Sequence, residues 1–169
     1  CVRTHCTSPA NATTTAKPDS ALPLVASAMS AINNGQTIVF AENAARFDAD
    51  SVLRDIITHN VAVVTVVGDA IARPLVEAME RNPGKVSSLF VVANGGAVLT
   101  PTTKERLMAV NPNMLVIDGV GSSETGSQLA QTSTGGTAAA PSFNPGPDTV
   151  VLAEDMSEVL QPGHDGTGW

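Results

Sequence analysis

The sequence predicts an α/β fold: a doubly wound, mostly parallel sheet with a hairpin near the C-terminal end. Short apolar, β-branched runs recur at Thr37–Ala41, Val61–Val67, Ser88–Ala93 and Met114–Ile117, as expected of strands covered on both faces. Between them lie stretches with apolar residues at helical spacing. Two of the runs lead into Gly-rich turns, Asn94-Gly95-Gly96-Ala97-Val98-Leu99 and Asp118-Gly119-Val120-Gly121-Ser122-Ser123-Glu124-Thr125-Gly126. In a parallel sheet those turns share the edge where open α/β sheets bind ligands.

Residues 1–20 are rich in Thr, Ser, Ala and Pro with no period. They are expected to form a disordered tail, because they bury too little apolar surface to offset their ordering entropy. Cys1, His5 and Cys6 fall in this tail; no fourth ligand is near and the spacing is poor for zinc. Residues 21–169 are expected to form the folded part. Ala21 to Asn33 is Ala-rich and reads as a helix closing near Asn34-Gly35. After the strand at Thr37–Ala41, Asp48 or Asp50 can cap a helix over Ser51 to His59, with Val52, Leu53, Ile56 and Ile57 on one face. The strand Val61–Val67 leads to a helix over Asp69–Arg81 with Ile71, Leu75, Val76 and Met79 inward and Pro74 in its second turn.

Thr100-Pro101 opens the next helix, Thr100 as N-cap and Pro101 at the first position; it closes at Asn111-Pro112. The order from Thr37 to Ile117 is therefore β-α-β-α-β-α-β with right-handed crossovers. Ser127 to Pro147 reads as loop, with a short strand left open. Thr149–Ala153 and Glu158–Leu160 read as a hairpin joined through Asp155-Met156-Ser157, and Gly163–Trp169 as a polar turn.

The 169 residues carry a net charge of −7 and only 3% aromatics, which argues against nucleic acid as a partner. No apolar stretch approaches a membrane span and no signal peptide opens the chain, so a cytoplasmic location is expected. ATP stays compatible with the acidic balance, since one local site can hold it.

The second Gly-rich turn carries hydroxyls and carboxylates, groups that hold a phosphate and its Mg²⁺. The first offers bare backbone, which suits the edge of a base. Taken in order, Asn94-Gly95-Gly96-Ala97, a helix, a strand and then Gly121-Ser122-Ser123-Glu124-Thr125-Gly126 resemble the adenylate-forming acyl-CoA synthetase family, over about Ile32 to Trp169. Asn33-Asn34-Gly35-Gln36-Thr37-Ile38-Val39-Phe40, Gly68-Asp69-Ala70 and Arg73-Pro74-Leu75 are similar to an actinobacterial branch that activates steroid side-chain and long-chain fatty acids.

The resemblance implies that residues 21–169 are part of the large N-terminal, AMP-binding domain of such an enzyme, with ATP, Mg²⁺ and CoA as its reactants and cofactors. It implies that Gly95, Gly96 and Ala97 meet the base and that Gly119, Val120, Gly121 and Ser122 line the nucleotide. Val120 stands where an aromatic often stacks on adenine. Ser123 falls on the hydroxyl position that contacts the α-phosphate, and Glu124 on the position that helps hold Mg²⁺, so these two are the catalytic candidates. Gly68 and Asp69 fall on the acyl-pocket side. Plainer readings stay open: a capped turn near a helix start for Ser123 and Glu124, a tight positive-φ turn for Gly95-Gly96, and a helix N-cap for Asp69.

The family's phosphate-gripping Thr-Ser-Gly-Thr-Thr-Gly-x-Pro-Lys string does not occur in these residues, nor does the His-Gly that follows Pro-Leu in the family. The ribose-binding Thr-Gly-Asp and the C-terminal catalytic lysine are also absent. An unrelated start ahead of a good match is expected of a truncated or rearranged gene, or of a frame change. The expectation is that this chain alone neither adenylates nor forms thioesters. The alternative is a non-enzymatic remnant or a nucleotide- or acyl-binding interaction module. Exposed apolar faces are expected to favour self-association.

Overall fold

The computed structural model describes residues 12–15, 28–41, 46–122, 126–139, 143–145, 149–161, 163–165 and 168. The elements in chain order are β1 (Ala12–Thr15), the described part of α1 (residues 28–33), β2 (Thr37–Phe40), α2 (Ala49–His59), β3 (Val61–Val66), α3 (Gly68–Glu80), β4 (Val91–Gly95), α4 (Pro101–Val110), β5 (Leu115–Ser122), β6 (Gly126–Ser133), β7 (Asn144–Pro145), β8 (Val151–Leu152) and β9 (Val159–Leu160).

Seven strands form one sheet in the order β2-β1-β3-β4-β5-β6-β7. Pairing is parallel from β2 through β5, and β6 and β7 add antiparallel. From β2 to β5 every crossover moves the same way across the sheet. Right-handedness therefore places α2, α3 and α4 on one face, where α3 touches α2 on one side and α4 on the other. The β1-to-β2 connection runs the opposite way, which by the same rule sends α1 to the other face and makes the sheet doubly wound.

Local chemistry accounts for the elements. Asp48 caps α2, its carboxylate accepting from the N–H groups of Asp50 and Ser51 at 3.1 and 3.3 Å. Asn60 ends that helix in the left-handed region at φ 50°. Pro74 is the seventh residue of α3; having no N–H, it leaves the Ala70 carbonyl without the usual helical donor. The core lies between the helix layer and the sheet: Val52, Ile56, Leu75, Val76, Met79, Leu107 and Met108 pack against Val64, Val66, Val92 and Val116. In register, Val64 and Val66 of β3 align with Val92 and Asn94 of β4, and these with Val116 and Asp118 of β5. Successive strand residues alternate faces, so the same inward stripe ends in two polar side chains.

The structure departs from the sequence expectation at several elements. Ala12–Thr15 is a strand, not part of a structureless tail, and it is the element through which β2 joins the sheet. Consecutive β-branched threonines suit an extended chain, and parallel partners on both sides satisfy their backbone. The stretch after Gly126 is not loop: Gly126–Ser133 is β6, paired with β5. Its inward residues are Gln131 and Ser133, both buried, so it has no apolar alternation to reveal it. The strand expected over Ser88–Ala93 is β4, which begins at Val91. The C-terminal hairpin is present as β8 and β9. Its turn is held by Asp155 Oδ1, which accepts from the Ser157 N–H at 3.0 Å and hydroxyl at 2.6 Å.

Candidate functional site

The C-terminal ends of β3, β4 and β5 are tied together by one side chain. Asn94 is buried at the end of β4. Its Oδ1 accepts from the Gly68 N–H at 2.7 Å, and its Nδ2 donates to the Ala97 carbonyl and to Asp118 Oδ1, each at 2.9 Å. Beneath it the Lys104 ammonium of α4 lies against Asp118 Oδ2; these side chains are 7% and 6% exposed. Among the described residues Oδ2 pairs with Lys104 and makes no regular hydrogen bond.

Gly68 is where β3 meets this turn. Its φ is +59°, and a Cβ there would come within 2.7 Å of Ala97 Cβ and 2.8 Å of the Val98 carbonyl oxygen. The Asp69 N–H then donates to that carbonyl at 3.1 Å. A glycine at position 68 thus permits both the left-handed backbone and the close approach.

The Asp69 carboxylate serves a different helix from its own. The N-cap position of α3 is Val67, without a side-chain cap. Asp69 instead accepts from the Thr100 N–H at 3.0 Å and the Thr100 hydroxyl at 2.9 Å, at the start of α4, and pairs with Arg73 at 2.8 Å. Burial pushes its pKa up, but the bonds from Thr100, Arg73 and Thr103 outweigh that and hold it below the usual carboxylate range.

The second Gly-rich segment is not a turn at Asp118. β5 runs straight through Asp118, Gly119, Val120 and Gly121 to Ser122, and β6 returns alongside it. Gly95 pairs with Gly119, so Val120, Gly121 and Ser122 project past the end of β4, beside the exposed Gly96 and Ala97. Gly96 has φ +78°. Val120 is 43% exposed. Gly121 lies so close to β6 that a Cβ there would overlap the Gly126 carbonyl oxygen.

The fold therefore brings Gly68, Gly95, Gly96, Ala97, Gly119, Val120, Gly121 and Ser122 to one edge of the sheet, with Asp69 behind it. Ser123 and Glu124, the two catalytic candidates and the metal candidate, lie outside the described residues. Among the described residues no group of His, Cys, Asp and Glu could hold a metal ion. Asn94, Lys104 and Asp118 were not singled out as functional by their sequence. The available signal was polar residues closing an otherwise apolar inward alternation, Val92 then Asn94 and Val116 then Asp118.

Comparison with known proteins agrees with this architecture. A family model described as AMP-binding enzyme matches residues 20–167. The chain is 58% identical over 143 residues to the medium-chain acyl-CoA ligase Mig of Mycobacterium avium, covering 85% of this chain and 26% of that protein. It is 41% identical over 143 residues to a medium/long-chain-fatty-acid–CoA/3-oxocholest-4-en-26-oate–CoA ligase of Mycobacterium tuberculosis, covering 79% and 24%. The chain thus spans about a quarter of the length of these relatives. Among solved structures, the luciferase-like enzyme of the nonluminescent mealworm Zophobas morio superposes with a TM-score of 0.71 at 17% identity, over 91% of this chain and 37% of that one. At that identity the likeness concerns the fold.

Proposed function

The chain belongs to the family of AMP-binding enzymes, and on that premise we propose that it is a central segment of the large domain of an acyl-CoA ligase. Its two glycine-bearing strand ends would hold an adenylate. The chemistry concerned is ATP-dependent activation of a carboxylate followed by thioester formation with CoA, and the relatives' names point to medium- to long-chain or sterol-derived acids. One observation carries the reading: the Gly95–Gly119 register leaves β5 projecting beside the exposed Gly96 and Ala97. That gives a flat, side-chain-poor wall where a base edge can reach backbone groups.

Each assigned residue then has a task. Gly95, Gly96 and Ala97 face the base, and Gly119, Val120, Gly121 and Ser122 line the nucleotide from β5. Val120 offers apolar cover in place of a stacking ring. Ser123 is assigned to the α-phosphate and Glu124 to Mg²⁺, and Gly68 and Asp69 to the acyl side. The reaction would take place in the cytoplasm. No helix among the described residues is long and apolar enough to cross a membrane.

The test is a thermal unfolding scan of wild type and Glu124→Ala, with and without a non-hydrolysable acyl-adenylate analogue plus Mg²⁺. Ligand that binds only the folded state raises the midpoint. The expected result is a rise in wild type that shrinks in Glu124→Ala. A cooperative transition that ligand leaves unmoved would favour a remnant whose fold has outlived the site. The 169 residues lack the phosphate-gripping string, so this chain by itself is expected to release no pyrophosphate from ATP and a fatty acid.

A further inference from the structure

We propose that Asn94 is a specificity-determining positioning residue for the base-side turn, anchored by the acceptor oxygen that the side chain at position 118 offers its amide. The proposal rests on the adenylate reading above and adds to it which side chain sets the base preference.

The amide's orientation is fixed by its partners. The Gly68 N–H can only donate, while the Ala97 carbonyl and the Asp118 carboxylate can only accept. Oδ1 must therefore face Gly68, and both Nδ2 hydrogens are committed. One side chain thus locks three segments: the start of α3, the turn after β4, and β5. Of the short polar side chains, only an amide supplies two donated bonds and one accepted bond from a single planar group. By drawing the Ala97 carbonyl inward, Asn94 decides which backbone groups of Gly96 and Ala97 remain facing outward along the exposed edge.

The side chain at position 118 supplies the acceptor that anchors Asn94. Asp118 Oδ2 is held by Lys104, which leaves Oδ1 turned to Asn94. The Lys104 charge is balanced inside the protein and sits beneath the sheet edge at 7% exposure. It is therefore not a phosphate-gripping lysine but the base of the network. A wall preset in this way recognises a base without reorganising, the condition for selectivity from backbone groups.

The experiment compares two probes, an acyl-sulfamoyl adenosine and its inosine counterpart, by titration calorimetry on the 169-residue chain. The proteins are wild type, Asn94→Ala and the double variant Lys104→Met/Asp118→Asn, each measured well below its own melting temperature. The double variant removes both charges yet keeps a carbonyl at position 118 to accept from Asn94. Wild type is expected to favour adenosine by about tenfold, the worth of one or two directed hydrogen bonds. Asn94→Ala is expected to bring the two probes within about twofold, and the double variant to keep most of the preference.

A folded Asn94→Ala that retains the preference would overturn the proposal. So would a preference that falls in step with melting temperature across all variants, since that is what a merely structural role gives. Where Asn94→Ala does not fold, Asn94→Ser is read in its place, with the same expected loss. Wild type that binds both probes equally overturns this proposal and leaves the adenylate site standing. Wild type that binds neither overturns both.

Discussion

Asp69 shows how much one carboxylate can organise. It sits in the first turn of α3 and caps the start of α4 through Thr100. Asp69→Ala is expected to cost about 1–2 kcal/mol, the range for a lost cap, read from urea midpoints. The pH dependence follows from its lowered pKa. A carboxyl held below its ordinary value of 3.8 contributes stability that is present above that value and lost as pH falls through the lowered one. The variant should therefore show a shallower acid limb than wild type below about pH 4. Lys104 makes the opposite kind of contribution. Lys104→Met leaves Asp118 buried without its cation and is expected to cost about 3–5 kcal/mol. Lys104→Met/Asp118→Asn should recover most of that loss in the same urea series.

Among the elements, the close contacts of glycines decide how the strand ends meet. Gly68→Ala must place a Cβ against Ala97 and the Val98 carbonyl from a left-handed backbone. The expected loss is at least about 2 kcal/mol, seen as a lower thermal midpoint. Gly121→Ala should open the β5–β6 hairpin at its Gly126 end, raising amide exchange at Gly126 and Ser127 while leaving β3 and β4 protected. Most elements between Thr37 and Ile117 were legible because their apolar periodicity is dictated by one shared core. β6 was not, because its buried face is Gln131 and Ser133. These polar residues align with Asp118 and Val116 across the pair, and no propensity records such a partner. The candidate glycines were legible as turn formers, yet Gly119 and Gly121 proved to be strand residues; Gly121 is needed for its close contact with β6.

At the scale of the whole molecule, helices α2–α4 close the core against one face of the sheet. Opposite the α2–α4 layer, Val63, Val91, Ala93 and Ile117 are half-buried, while Leu115 is exposed. Phe40, on the outer strand β2, is 66% exposed. β2 ends the sheet among the described residues, and a strand at a sheet edge invites association with another chain. We expect oligomers in light-scattering chromatography at micromolar concentration; a sharp monomer peak would refute this.

The sequence by itself determined the βαβ order, the apolar stripe and the family, because these depend on near neighbours and on repeated spacing. Only the tertiary structure decided three further things: that Ala12–Thr15 completes the sheet, that Asp69 caps a helix other than its own, and that Asn94, Asp118 and Lys104 close into one buried network. Each joins segments far apart in the chain. The free energy that selects such a contact comes from burying polar groups together, and a polar residue read alone gives no sign of the partner that makes its burial favourable.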